Sequence, residues 1–443
     1  MCPPATHRIL TNFIDSLPPS SPVLESHLVI AGDIVDFLAE RPFTAFTGDP
    51  DQACEKLQRI FDSTSVFWDA LSRFAVERDG VLSLMLGNHD IELSLPGVRQ
   101  MLLERIGGHR TTFIYDNEAF TLGPLLVEHG NRFDAWNAVP HGALRRVRSQ
   151  LSRKLPVVPD FPALPGSRMV IDVINPLKLE YPFVDLLKPE TAVALPIAAA
   201  LGGVGLKEIW KAFGKFRDTN SVDYDEAGGE PIHQNYISGA ANTDQPLWDV
   251  AQSIAAGANM AQVGGLANTL RGVGATARAG LRTARIEALF TAFRKLADLR
   301  RMHREAFAME IESNTYLKPA LRSAAAGFKA IVYGHTHLPK RVTLAPDVGD
   351  AAIYLNTGTW ADVMCIPHGI WDPDEAAGRT LFRRFCDDLD TEALAGWRRS
   401  MPTYARIEVD GDQLLSAQLH FADDDSLATT EGVWKRLLRE PVA

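Results

Sequence analysis

The sequence predicts an α/β fold carrying a large, mainly helical insertion, and three observations predict it. Four short apolar runs each stop at a polar cluster. Strand-like and helix-like stretches alternate. A long stretch from about 136 to 325 then interrupts that alternation. Short apolar runs bounded by turn residues read as buried strands, and their alternation with helices reads as α/β.

The first run, His27 to Ala31, stops at Gly32-Asp33. The second, Val81 to Leu86, stops at Gly87-Asn88. The third, Leu125 to Glu128, stops at His129-Gly130, and the fourth, Ala330 to Tyr333, at Gly334-His335. A helical stretch, roughly Asp51 to Glu77, joins the first two. In open α/β sheets, ligands bind beyond the C-terminal ends of the strands, and all four polar clusters sit there.

The insertion opens with the basic run Arg145-Arg146-Val147-Arg148 through Arg153-Lys154 and a Pro-rich segment, Pro156 to Pro165. Helical patterns follow, then an acidic loop near Asp223, a stretch around 218–246 that reads as a mobile loop, a Gly/Ala-rich stretch from Ala255 to Gly280, and a helix from about Thr283 to Glu312. Beyond it, a strand through Tyr354-Leu355-Asn356 and a strand pair, Tyr404 to Val409 and Leu414 to Phe421, are expected. A short amphipathic helix near Gly432 to Leu438 would dock on this chain or on a partner. The expected organisation is a core in two parts, 1–135 and 326–422, around a cap at 136–325, with a tail at 423–443.

The chain has 443 residues and a net charge of -10, which argues against a general nucleic-acid binder. The acidity is uneven: residues 136–325 hold 23 Lys/Arg against 18 Asp/Glu. A basic middle suits either an anion-facing surface or an ordinary solvated helical face. The four cysteines, Cys2, Cys54, Cys365 and Cys386, match neither zinc-knuckle nor disulfide-framework spacing, so a reducing, cytoplasmic setting is expected. The apolar run Thr191 to Leu206 is shorter than the roughly 20 residues that span a bilayer. It reads as a core helix of the cap, or as a place for an acyl chain and peripheral membrane contact.

The four clusters combine into one chemistry. Carboxylate oxygen suits hard divalent ions, and imidazole suits zinc, iron and similar ions. Two such ions about 3.5–4 Å apart clamp the attacking and leaving oxygens of a phosphoryl transfer. The pair needs a bridging carboxylate, and Asp33 at a strand end, after a glycine that lets the backbone turn sharply, is the candidate. Asn88 offers a neutral carbonyl oxygen. His129, His335 and His337 offer imidazole nitrogen.

Together, Gly32-Asp33-x-x-Asp36, Gly87-Asn88-His89-Asp90, His129-Gly130 and Gly334-His335-Thr336-His337 resemble the motifs of the calcineurin-like metallophosphoesterases. The resemblance covers roughly residues 23–135 and 326–365. It implies an α/β/β/α sandwich with two divalent ions (Mn, Fe or Zn) at one rim, hydrolysing a phosphomonoester, phosphodiester or pyrophosphate bond by metal-activated hydroxide. By that resemblance Asp33 bridges the ions, Asn88, His129 and His335 complete one site, and His337 ligates the other. His89 stabilises the transition state or protonates the leaving oxygen, Asp90 orients it, and Asp36 supports the ligands. The substrate would be a small-molecule or lipid-linked phosphate. Arg132, Arg145, Arg146 and Arg148 are candidates for a second phosphate, since guanidinium pairs with phosphate bidentately.

The family opens with an Asp-x-His motif that this sequence lacks. Arg8 to Leu17 reads as the helix that follows that motif's strand, which would place the motif before residue 1. Three readings follow: a chain that starts late, a one-metal protein, or a non-catalytic binding or regulatory relative. A late start is the expectation, because losing an inner strand costs sheet hydrogen bonds. The family's pyrophosphohydrolases of UDP-diacylglucosamine also carry a helical cap after the His-Gly motif. They usually have Arg where His89 stands, so their substrate does not carry over.

Overall fold

Apolar alternation builds two sheets in the computed structural model, which describes residues 4–155, 161–188, 197, 200–201, 275–295, 297–346 and 349–438. The expected mobile loop at 218–246, nearly all of the apolar run at 191–206, the Gly/Ala-rich stretch up to 274 and part of the Pro-rich segment lie outside the described residues.

The first sheet is parallel: β1 (His27–Ile30), β2 (Val81–Met85) and β3 (Thr111–Ile114), in that spatial order. The second is mixed and five-stranded. Its strands are β4 (Phe120–Leu122), β5 (Leu125–Val127), β7 (Ala330–Tyr333), β8 (Pro339–Leu344) and β9 (Ala352–Thr357), ordered β4-β5-β7-β9-β8. β5, β7 and β9 run parallel. A short bridge pairs β6 (Leu187–Lys188) with β10 (Met364–Cys365), and β11 (Thr403–Asp410) forms a hairpin with β12 (Gln413–Phe421).

Successive strand residues point to opposite faces, and this sorts the core. Leu28, Ile30, Leu82, Leu84 and Phe113 pack with the helices Pro50–Ser63, Ser65–Ser72 and Pro96–Ile106. Val29, Ala31, Met85 and Ile114 point the other way, into a cluster with Leu125, Val127, Ala330, Val332 and Leu355 of the second sheet. Leu126, Ile331, Tyr333 and Tyr354 face outward from that sheet and are covered by Tyr316, Ala320 and Ala324 of the helix Asn314–Ala325. The chain is therefore mixed α/β, with one core between the sheets and one outside each.

The expected helix Asp51–Glu77 is broken at Thr64. Asp49 caps its first part by accepting from the Asp51 and Gln52 amides, with Pro50 in the first turn. Where a helix over 283–312 is expected, the described residues hold the helical spans Ala275–Lys295 and Ala297–Phe307. The end of the second is held by Lys340, whose buried Nζ donates to the carbonyls of Glu305, Ala306 and Ala308 at 2.7–3.1 Å.

The insertion does not pack as one unit. Leu144, Val147 and Leu164 join the helical face of the first sheet. Its middle, including Phe183, Leu289, Phe290 and Phe293, shares a core with Met364, Ile366, Ile370 and the helix Glu375–Asp390. The C-terminal helix Thr430–Leu437 docks on this chain, burying Val433 and Leu437 in the inter-sheet core. No helix among the described residues is long and apolar enough to cross a membrane.

Candidate metal centre

Each of four strands ends in a turn that delivers one polar side chain to a common point. After β1 the chain turns at Gly32, φ +88°, and Asp33 follows in the left-handed region at φ 52°. After β2, Gly87 packs so closely on Asp33 that an added Cβ would lie 2.0 Å from Asp33 Oδ1. After β5, the His129 carbonyl accepts from both the Gly334 and His335 amides at 3.0 Å, locking the ends of β5 and β7 together. His337 is also left-handed, at φ 63°. Non-glycine residues in this region are uncommon and cluster where the surrounding structure imposes them.

Donor atoms of Asp33, His129 and His335 all lie within 4.8 Å of one another. His129 Nε2 is 3.1 Å from both Asp33 Oδ2 and Asn88 Oδ1, and its Nδ1 donates to the Ala31 carbonyl at 2.6 Å. With Nδ1 carrying a proton, Nε2 has two options. It holds a second proton, shared with two oxygens, or it turns a lone pair on a cation between them. His335 Nδ1 is buried without a hydrogen-bond partner, a donor atom of the kind a cation satisfies. The residues present therefore fit a divalent ion held by Asp33, Asn88, His129 and His335.

The electrostatics follow from burial and proximity. Desolvation raises the Asp33 carboxyl, but the charges of His129 and His89 more than reverse this and hold it well below the usual carboxylate range. Desolvation lowers the His129 imidazole, and Asp33 reverses that in turn, raising it. His89 is similar: burial lowers it, while Asp33 and then Asp36 bring it up to about 10. His337 is pushed well down by burial and then by the Lys188 charge.

Two roles differ from those the resemblance implies. The partner of the His89 ring is Asp36, with Oδ1 3.3 Å from Nδ1. Asp90 instead accepts from the Gly87 amide at 2.7 Å and the Ile34 amide at 2.8 Å. Its carboxylate closes back over its own tight turn, so it ties the first two clusters together and does not orient His89. Burial and the Asp33 charge push its pKa up to about 7.

The arginines do not form one patch. Arg145 and Arg148 both bind Asp116, and Arg148 lies over the Tyr115 ring. Arg132 pairs with Glu128 at 3.6 Å and lies over Phe133, whereas Arg146 is exposed.

Sequence reasoning missed three supporting residues. Asp134 and Asn137 contact candidate ligands from the loop after His129. Asn356, fully buried in β9, donates to Thr336 Oγ1 at 2.8 Å and accepts from the Gly358 amide at 3.0 Å. The signal for the first two was present, as an Asp-Ala-Trp-Asn separated from the His-Gly motif by only three residues. Comparison with protein-family models, with curated proteins and with solved structures finds no match to this chain.

Proposed function

We propose that the chain is a metal-dependent phosphoesterase of the calcineurin-like type, hydrolysing a phosphomonoester, phosphodiester or pyrophosphate bond. The helix, sheet, sheet, helix layering is consistent with that family's sandwich. The observation that carries the reading is the convergence of Asp33, His129 and His335 within 4.8 Å, with Asn88 Oδ1 beside them.

A divalent ion bound there would polarise a phosphoryl oxygen and acidify water. Asp33, Asn88, His129 and His335 would hold it, and Asp33 with His337 would be this chain's donors to a second. Proton transfer falls to His89. As an imidazolium it would carry a proton for the leaving oxygen and a positive charge toward the phosphoryl group. Asp36 steadies the ring through Nδ1.

Metal analysis joined to turnover of bis-p-nitrophenyl phosphate with Mn²⁺ tests this. Bound metal with turnover that falls in His89→Ala supports it, and bound metal without turnover on mono-, di- or pyrophosphate esters overturns it. A second reading, a binding or regulatory protein with one ion, draws on the composition of the cluster. Among the described residues, the one group of three or more such donors is Asp33, His129 and His335, and His337 is outside it. Metal binding without hydrolysis is its expected outcome.

A further inference from the structure

We propose that Asp134 and Asn137 are positioning residues for the metal ligands His335 and Asn88, so that the loop 131–137 sets the affinity of the site. This rests on the metal reading above.

The Asp134 carboxylate serves three donors with two oxygens. Oδ1 accepts from the Trp136 amide at 2.9 Å. Oδ2 accepts from Asn137 Nδ2 at 2.7 Å and faces His335 Nε2 at 3.1 Å. A carboxylate oxygen can only accept, so when the ring is neutral, as a metal ligand must be, Nε2 is its protonated nitrogen. That fixes the tautomer that leaves Nδ1 as a bare lone pair, and Nδ1 is the buried atom of His335 with no protein partner. An asparagine at 134 has one oxygen for three donors, so at least one donor would meet an NH2 group.

Asn137 does the corresponding work on Asn88. Its Oδ1 faces Asn88 Nδ2 at 3.4 Å, which turns the Asn88 carbonyl oxygen toward His129 Nε2. The loop is itself pinned on two sides. Asn131 Nδ2 donates to the Asn137 carbonyl at 2.9 Å, and the Gly166 amide, in the helix Pro165–Met169, donates to the Trp136 carbonyl at 2.9 Å. One short loop thus braces two ligands that come from different sheets, and the insertion braces the loop.

The test is calorimetric titration of Mn²⁺ into the chelator-treated full chain and its variants Asp134→Asn and Asn137→Ala, with visible spectra of the Co²⁺ forms. Partners of metal-bound histidines typically change affinity 10- to 100-fold. We expect a loss in that range for each variant, an altered Co²⁺ spectrum, and metal-free melting temperatures close to the parent's. Asn137→Ala removes the Asn88 contact and one donor to the Asp134 oxygen that faces His335, so it reads the loop's effect on the site if Asp134→Asn does not fold. Parent-like affinity and spectra in the folded variants overturn this inference alone. A parent chain that binds no Mn²⁺ overturns the metal reading and this inference with it.

Discussion

Asp33 Oδ2 lies 3.1 Å from His129 Nε2, although the two residues follow strands of different sheets. Removing the ring should therefore do more than vacate space. In His129→Ala the partly buried Asp33 carboxylate loses the imidazole beside it, and the site loses a donor. We expect Mn²⁺ affinity to fall by at least about 100-fold, beyond the usual effect of an indirect partner. Elemental analysis after dialysis checks it, and full metal content in the variant would refute it.

His89 sits beside that pair without belonging to the donor cluster. His89→Ala should lower kcat by about 10²–10⁴, the usual worth of a positioned proton donor, while leaving metal content intact. Steady-state kinetics read alongside elemental analysis separate the two effects. A variant with parental kcat would remove His89 from the chemistry.

Gly87 is the tightest approach in the centre. A methyl group there would meet Asp33 Oδ1 at 2.0 Å and the Asp33 backbone nitrogen at 2.5 Å, so the backbone itself must move. Gly87→Ala should cost roughly 1–3 kcal/mol of stability, as overpacking does, and should also weaken metal binding. Urea unfolding of the metal-free chain measures the first and titration the second. Unchanged values in both would contradict the close packing.

Lys340 offers a test away from the centre. Its buried ammonium serves three carbonyls at the end of the helix Ala297–Phe307. Lys340→Met keeps the stem and leaves those carbonyls short of a donor. A loss of about 2–3 kcal/mol is expected, the scale of unsatisfied buried groups. A urea midpoint equal to the parent's would show that the capping contributes nothing.

His303 makes the fold sensitive to acid. It is 1% exposed, its Nε2 has no partner, and Phe307, Trp371 and Trp434 surround it with ring centroids 5.2–5.9 Å away. Burial, then the His368 charge, lowers its pKa to about 3 from 6.5. The unfolded chain thus takes up a proton below about pH 6.5 that the folded chain refuses until about pH 3. This residue's contribution is complete above pH 6.5 and declines as pH falls toward 3, by at most about 1.4 kcal/mol per pH unit. His303→Phe should shed that slope. Melting curves of both proteins at pH 7, 5.5 and 4 would show the variant gaining on the parent. Parallel curves would rule it out.

The strands were legible because β1, β2, β5 and β7 are short apolar runs stopped by Gly or His, a pattern written in adjacent residues. The donor set was legible for the same reason: each member stands at such a stop. Partnership across the chain was not. Nothing near Asp116 marks it as the partner of Arg145 and Arg148, and a basic helix reads the same whether it faces a ligand or an internal carboxylate. Asp36 and Asp90 lie equally close in sequence to their motifs, and only turn geometry decides which one reaches the His89 ring. The break at Thr64 was hidden because its flanks keep a helical period.

Two donors ride on one sheet, at the ends of β1 and β2, and two on the other, at the ends of β5 and β7. The apolar contact between those layers and the hold the proposed site would have on an ion therefore draw on the same relative placement. Sliding one layer against the other would separate Asp33 from His129 as surely as mutating either, and an occupant would act as a rivet across the seam. Occupancy and thermal resistance are then thermodynamically linked: the melting temperature should climb with the concentration of free ion, and a substitution in the seam, at Met85 or Val332, should be felt at the rim.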